Sequence, residues 1–421
     1  MTATHDIPAG FEKRFETFSE IGSTGDGGVH RMESSAANGE ARRQLVAWLR
    51  EEGFEVRIDG IGNIFGILDL GAGADAPLIM AGSHIDSQPM GGRFDGAYGV
   101  IAGLDAALAV RDRLKAAGTT PVANLAVVAF SGEEGARFFT FMGSKVYTGQ
   151  LTAEETLAQR DADGVLARDA MEAIGFIGTD AAPPFPRAYV ELHVECGSYL
   201  EDKGVALGVF DRWWGAHKLD VHFIGETSHT GPTPMAKRRD ALYAAAQMIT
   251  GVRGLADAAP VGDLHTSVAK LLVAPNSRNV VPDSALGFVE IRSMKPEVME
   301  ENVAKLMPII ETAAAVAGVG HEIVRDDLRR PGRFDEELGQ LADAIAVANF
   351  GIEPMHIDTL PGHDAIMMMQ VTRCLMLTVP SRGGLCHHPD EYSDMGDLKR
   401  GAAWLAAILE RLVLEPPAPK D

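Results

Sequence analysis

Apolar residues recur at helical spacing through ANGEARRQLVAWLREE, residues 37 to 52, and the pattern then turns to alternation in FEVRIDGIGNIFGIL, where Gly60 and Gly62 mark a turn. Four later segments are uninterrupted apolar runs of strand length: APLIMAG at 76–82, NLAVVAF at 124–130, RAYVELHV at 187–194 and RCLMLTVP at 373–380. Each is expected to be a strand buried on both faces. The stretch GVIAGLDAALAVRDRLKAAG between the first two predicts a crossover helix capped by Gly118. Strands and helices alternating in this way predict an α/β fold, a mostly parallel sheet with helices on both faces.

Residues 214–330 follow another pattern, with alternating strands in HKLDVHFIG, HTSVAKLLVA and SALGFVEIRS and helical stretches at 235–252 and 296–317. They predict an inserted α+β sandwich domain, because the fourth apolar run of the first domain comes only after them. The expected domains are therefore a discontinuous one, 1–213 with 331–421, and the insertion 214–330.

Polar residues able to bind metal follow the carboxyl end of every one of the four apolar runs, where open α/β sheets place their sites. They are Gly82-Ser83-His84-Ile85-Asp86 with Gly91-Gly92-Arg93-Phe94-Asp95-Gly96, then Ser131-Gly132-Glu133-Glu134-Gly135, then His193-Val194-Glu195, and last Gly383-Gly384-Leu385-Cys386-His387-His388. Imidazoles and carboxylates suit zinc, manganese or cobalt, and two such ions held close together need a carboxylate to bridge them. Any one of these residues alone reads as structural, but the set, flanked by glycines, predicts a two-metal site. The adjacent Glu133 and Glu134 need separate roles, one as a ligand and one taking the proton of a metal-polarised water.

Composition narrows the function further. A net charge of -21 disfavours nucleic-acid and anionic-membrane partners. No apolar run approaches the roughly 20 residues of a membrane helix, and the N-terminal MTATHDIPAGFEKRFETF lacks a secretory-signal pattern, so a cytoplasmic location is expected. Three cysteines without C-x-x-C spacing, Cys196, Cys374 and Cys386, suit a reducing compartment.

GSHIDSQPMGGRFDGAYGV, FSGEEGARF, ELHVECG, SHTGPTPMAKRRDA, PNSRNVVP, PGHDA and GLCHHPDEYS, in this order between about residues 80 and 393, resemble the amidase/hydantoinase/carbamoylase family of the zinc-exopeptidase-like superfamily. That family includes N-carbamoyl-L-amino-acid hydrolases, β-ureidopropionases, and allantoate and ureidoglycolate amidohydrolases. The resemblance implies two divalent cations, zinc or manganese with cobalt and nickel as alternatives. His84, Asp95 and His193 would bind one, and Asp95, Glu134 and His387 the other. It makes Glu133 the general base and Asp86 the carboxylate that orients His84. The insertion then resembles a lid and dimerisation domain. His229, in a G-x-x-x-H-x-G-x-T-P-M pattern, would stabilise the oxyanion and complete the site of the second subunit of a homodimer, with Asn279 a candidate to do the same. Asn279 and Arg292 would hold the substrate's carboxylate and polar groups, although an ion pair is the bland alternative for Arg292. Gly362, with His363 and Asp364, would shape the floor, and Ser381 and Gly383 would sit over the substrate, their loop's N–H groups open to an anion.

Three departures surround this site: Glu195-Cys196-Gly197 where relatives have E-Q-G, Leu385-Cys386-His387 where they have Ile-Ser-His, and Leu360-Pro361-Gly362 where they have Gly-x-Gly. Cys196 offers a weak donor in place of a carboxamide, which bears on the scissile group. A thiolate ligand is conceivable at either cysteine, although a small buried thiol is the plainer reading. The expected activity is hydrolysis of the C–N bond of an N-carbamoyl-L-amino acid or related ureido acid. The nearest rival is an amidase or peptidase acting on N-acyl amino acids or dipeptides, and a catalytically silent metal-binding protein is the weakest reading.

Overall fold

The computed structural model describes residues 10–420. The first half of the segment read for a secretory signal, residues 1–9, lies outside them. The chain divides into two compact units. Of the described residues, the larger comprises 10–211, 334–357 and 361–420, and the smaller comprises 212–333 with 358–360.

In the larger unit the four apolar runs become the strands Leu78–His84, Asn124–Phe130, Ala188–Val194 and Arg373–Val379. They are parallel, in the spatial order 124–130, 78–84, 188–194, 373–379, so the winding reverses at the Leu78–His84 strand. Every residue of the second and third is buried, which is why they read as runs rather than alternations. The sheet is mixed beyond this core. Ile64–Leu68 joins Asn124–Phe130 antiparallel, and Glu55–Ile58 joins Ile64–Leu68 likewise. The crossover helix Ala97–Ala117 is buried almost all round as far as Val110 and ends at Gly118 in the left-handed conformation. The helix Met395–Leu414 packs on it, with Trp404 fully buried. Pairing Leu78↔Asn124 through His84↔Phe130, and Thr378↔His193, brings the carboxyl ends of all four strands to one edge.

The smaller unit is a four-stranded antiparallel sheet in the order Gly320–Arg329, Gly215–Ile224, Ser284–Ser293, His265–Ala274, packed on the helices Ala241–Ala258 and Pro296–Ala317. Three differences from the sequence reading have physical causes. The helix expected from residue 235 starts at Ala241, because Asp240 caps it by accepting from the Tyr243 N–H. The edge strand Gly320–Arg329 has no buried position, is rich in charged residues and carries a bulge at Ile323/Arg325, so no apolar alternation announces it. Residues 358–360 join this unit through hydrogen bonds that no sequence pattern announces, with Arg212 gripping Asp358 by two of 2.8 and 2.7 Å and Trp214 N–H donating to Thr359 at 3.0 Å. Among the described residues no helix is long and apolar enough to cross a membrane.

Candidate metal centre

Asp95 stands at the centre of the strand-end cluster. Its Oδ1 faces His84 Nε2 at 3.3 Å and His193 Nε2 at 3.1 Å, and its Oδ2 faces His387 Nε2 at 3.3 Å. His387 Nε2 also lies 3.1 Å from Glu134 Oε2. The five residues are thus brought together as two overlapping groups that share one carboxylate.

The hydrogen bonds on the far side of each ring fix what the near side offers. His84 Nδ1 lies 3.1 Å from the Asp86 carbonyl oxygen, and His193 Nδ1 lies 2.8 Å from that of Val194, so in both rings Nδ1 carries the proton. In the neutral ring each Nε2 then presents a lone pair to a carboxylate oxygen, which is also an acceptor. His193 Nε2 is buried with no hydrogen-bond partner. Acceptors converging in a buried space repel unless a cation sits among them, so the donor set fits divalent metal. The same tension appears as proton affinity. Burial opposes an imidazolium at His84, yet the Glu133, Asp86 and Asp95 carboxylates raise its pKa well above the usual range. Burial alone would raise Asp95, but His193, His387 and His84 hold it well below the usual carboxylate range.

Backbone and second-layer groups hold these donors in place. The Asp86 carboxylate accepts from the N–H groups of Glu133 and Glu134, both at 3.2 Å, while its Oδ1 lies 3.4 Å from His84 Nδ1. It therefore ties the first strand's histidine to the second strand's carboxylates. Glu133 is buried, with Oε2 3.8 Å from His84 Nε2, and burial raises its pKa well above the usual carboxylate value. Gly96 begins the crossover helix at φ +63, and a Cβ there would lie 2.3 Å from the His84 ring, so only glycine lets the helix start against the ligand.

Sequence reasoning missed Glu391. Its Oε1 accepts from Phe94 N–H at 3.1 Å and Asp95 N–H at 3.0 Å, and its Oε2 from His387 N–H at 3.2 Å. One buried carboxylate thus fixes two ligand-bearing loops, and burial reinforced by Asp95 lifts its pKa to about 7. Its only signal was an acidic residue four places after His387 in the GLCHHPDEYS run. Glu33 and Arg42 were missed as well; their buried ion pair at 2.9 Å receives the Gly132 N–H just before Glu133.

The other sequence-selected residues are placed as follows. Gly362 is partly buried, the His363 ring packs edge-on against His193 with centroids 4.7 Å apart, and Asp364, accepting from Ser144, is pushed up to about 8 by burial and Glu191. Ser381 is buried and accepts from Cys196 N–H at 3.2 Å. The Gly383 N–H donates to Glu201 at 2.5 Å, so the donor offered to an anion is already taken. Within the smaller unit, Val280 pairs with His229 and the Asn279 carbonyl accepts from Thr230 N–H, which brings His229 and Asn279 side by side and exposed. Arg292 donates to the Leu360 carbonyl at 2.7 Å and to Glu290 at 2.8 Å, so its guanidinium is in an ion pair.

Comparison with known proteins shows the family. The model of peptidase family M20/M25/M40 matches residues 80–411. The chain belongs to that family. Among M20 relatives it is 32% identical to the N-carbamoyl-L-amino acid amidohydrolase of Geobacillus stearothermophilus, over 93% of this chain and 95% of that protein. It is 33% identical to the allantoate amidohydrolase of Bacillus subtilis, over 94% of this chain and 96% of that protein. Its fold matches an amidase of the hydantoinase/carbamoylase family from Burkholderia vietnamiensis at a TM-score of 0.88 and 31% identity, covering 99% of this chain and 100% of that one. As an M20 chain it is a hydrolase, and the hydantoinase/carbamoylase branch that its motifs resemble is the branch of this structural neighbour.

Proposed function

We propose that this protein hydrolyses the C–N bond of an N-carbamoyl-L-amino acid or a related ureido acid in the cytoplasm, as a homodimer with two divalent cations per subunit. The observation that carries this reading is the Asp95 carboxylate set between three imidazole Nε2 atoms, with the buried Glu133 beside them. His84, Asp95 and His193 would hold one cation and Asp95, Glu134 and His387 the other. Bound there, zinc or manganese would supply Lewis acidity to the scissile carbonyl and to water.

The remaining chemistry belongs to the chain. Glu133 takes the proton of the attacking water and returns it to the leaving nitrogen, a shuttle suited to a carboxylate whose burial raises its proton affinity. Asp86 keeps Glu133 and Glu134 in register through their backbone N–H groups. His229 serves the oxyanion in the second subunit's site, with Asn279 beside it, and Arg292 grips the substrate carboxylate. Arg292 already spends donors on Leu360 and Glu290, and its five N–H groups leave capacity for a further acceptor. Lysine's compact ammonium lacks the planar fork that grips a carboxylate through two parallel hydrogen bonds, so Arg292→Lys should raise KM for carboxylate-bearing substrates roughly ten- to hundredfold. An unchanged KM in steady-state assays would remove Arg292 from the substrate site.

The reading is tested by ammonia release from N-carbamoyl-L-amino acids, N-carbamoyl-β-alanine, allantoate and ureidoglycolate, with N-acetyl amino acids and dipeptides as controls, using enzyme loaded with manganese or zinc. Ammonia from one of the ureides is expected. Turnover of only an acyl or peptide control would move the enzyme to an amidase reading, which the replacement of a glutamine by Cys196 would then explain.

A further inference from the structure

Two of the chain's three cysteines meet beside Asp95. Cys196 lies three residues after His193 and Cys386 immediately precedes His387, yet their sulfurs are 2.6 Å apart, and both thiols are free. Cys386 Sγ lies 3.0 Å from Asp95 Oδ2, the oxygen that His387 Nε2 also approaches, while Cys196 Sγ lies 4.0 Å from it. One donor atom each from Asp95, Cys386 and His387 lies within 4.8 Å of the others. The backbone is constrained around this arrangement. Cys196 and His387 both adopt positive φ, 55° and 57°, with their N–H groups bound to Ser381 and Glu391. The third cysteine, Cys374, is buried in its strand and donates to the Thr372 carbonyl.

We propose that Cys386 is a sulfur ligand of the cation position formed by Asp95, Glu134 and His387. The inference rests on the metal-dependent reading above and makes that position a mixed N, O and S site. When the cation binds, the Cys386 thiol loses its proton to solvent and the sulfur lone pair forms the bond to the metal. Cys196 keeps its S–H and donates it to the new thiolate, which accounts for a second thiol against the first. Thiolate is a soft ligand that zinc and cobalt accept readily, whereas manganese prefers oxygen, so the position should discriminate against manganese.

The test is the electronic spectrum of the full-length, reduced enzyme loaded with cobalt(II) alone, with bound metal counted by elemental analysis. An intense near-ultraviolet sulfur-to-cobalt charge-transfer band is expected in the unmodified enzyme, retained in Cys196→Ser and lost in Cys386→Ser. The preference for zinc over manganese should fall on the order of 10- to 100-fold in Cys386→Ser, measured by competition. Two bound cobalt ions without the band overturn the sulfur ligand and leave the metal-dependent reading standing, as does a band that survives Cys386→Ser. Cobalt that does not bind at all overturns both. Should Cys386→Ser fail to fold, Cys386→Ala takes its place, and absence of the band in the unmodified enzyme with two cobalt ions bound overturns the proposal without any variant.

Discussion

Replacing Glu133 by Gln is expected to leave the bound metal unchanged and to lower kcat by on the order of 10²–10⁴-fold. The two parts of this expectation come from different atoms. The groups that converge as metal donors are His84, Asp95, His193, Glu134 and His387, and Glu133 stands outside the contacts that join them to Asp95. Its carboxylate lies 3.8 Å from His84 Nε2. The amide of Gln has nearly the same shape, and the Glu133 backbone N–H would still be held by Asp86. What disappears is the ability to take and return a proton. Elemental analysis beside a saturating rate measurement separates the two effects. Near-normal turnover in this variant would remove the general base from Glu133, and loss of metal with loss of rate would make Glu133 a ligand instead.

The sequence exposed the parts of this site that obey a local rule. The four buried strands are short apolar runs, and their carboxyl ends carry the imidazoles and carboxylates that the parallel register gathers at one edge. What it concealed depends on contacts between distant segments. Glu391 binds the backbone of residues nearly three hundred places earlier, and its place four residues after His387 does not by itself distinguish it from a solvated acid. Residues 358–360 belong to the smaller unit through Arg212, Trp214 and Arg292, without an apolar pattern of their own. The strand Gly320–Arg329 was hidden for the opposite reason, since an edge protected by charge looks like a loop. The meeting of Cys196 with Cys386 required the fold, because two isolated departures from a family pattern do not announce that they touch.

Arg42→Met is expected to destabilise the protein by about 3–5 kcal/mol, because it strips the counter-charge from a carboxylate that cannot reach water. Arg42 is 1% exposed and Glu33 3% exposed. The guanidinium donates to both Glu33 oxygens at 2.9 and 3.0 Å, to Asn38 at 2.7 Å, to the Gly62 carbonyl at 2.6 Å and to Ser131 at 3.0 Å. Methionine fills much of the same volume but satisfies none of these acceptors. The cost therefore comes mainly from the buried charge left on Glu33, not from a cavity. The double replacement Arg42→Met with Glu33→Leu should consequently recover part of the lost stability, seen as a urea midpoint above that of the single variant. Recovery of activity should not follow, because Glu33 also accepts the Gly132 N–H at 2.8 Å and so helps set the turn that presents Glu133. A double variant that regained full turnover would show that this turn needs no anchor at Glu33. A single variant with the wild-type urea midpoint would show that the buried pair contributes nothing to the fold.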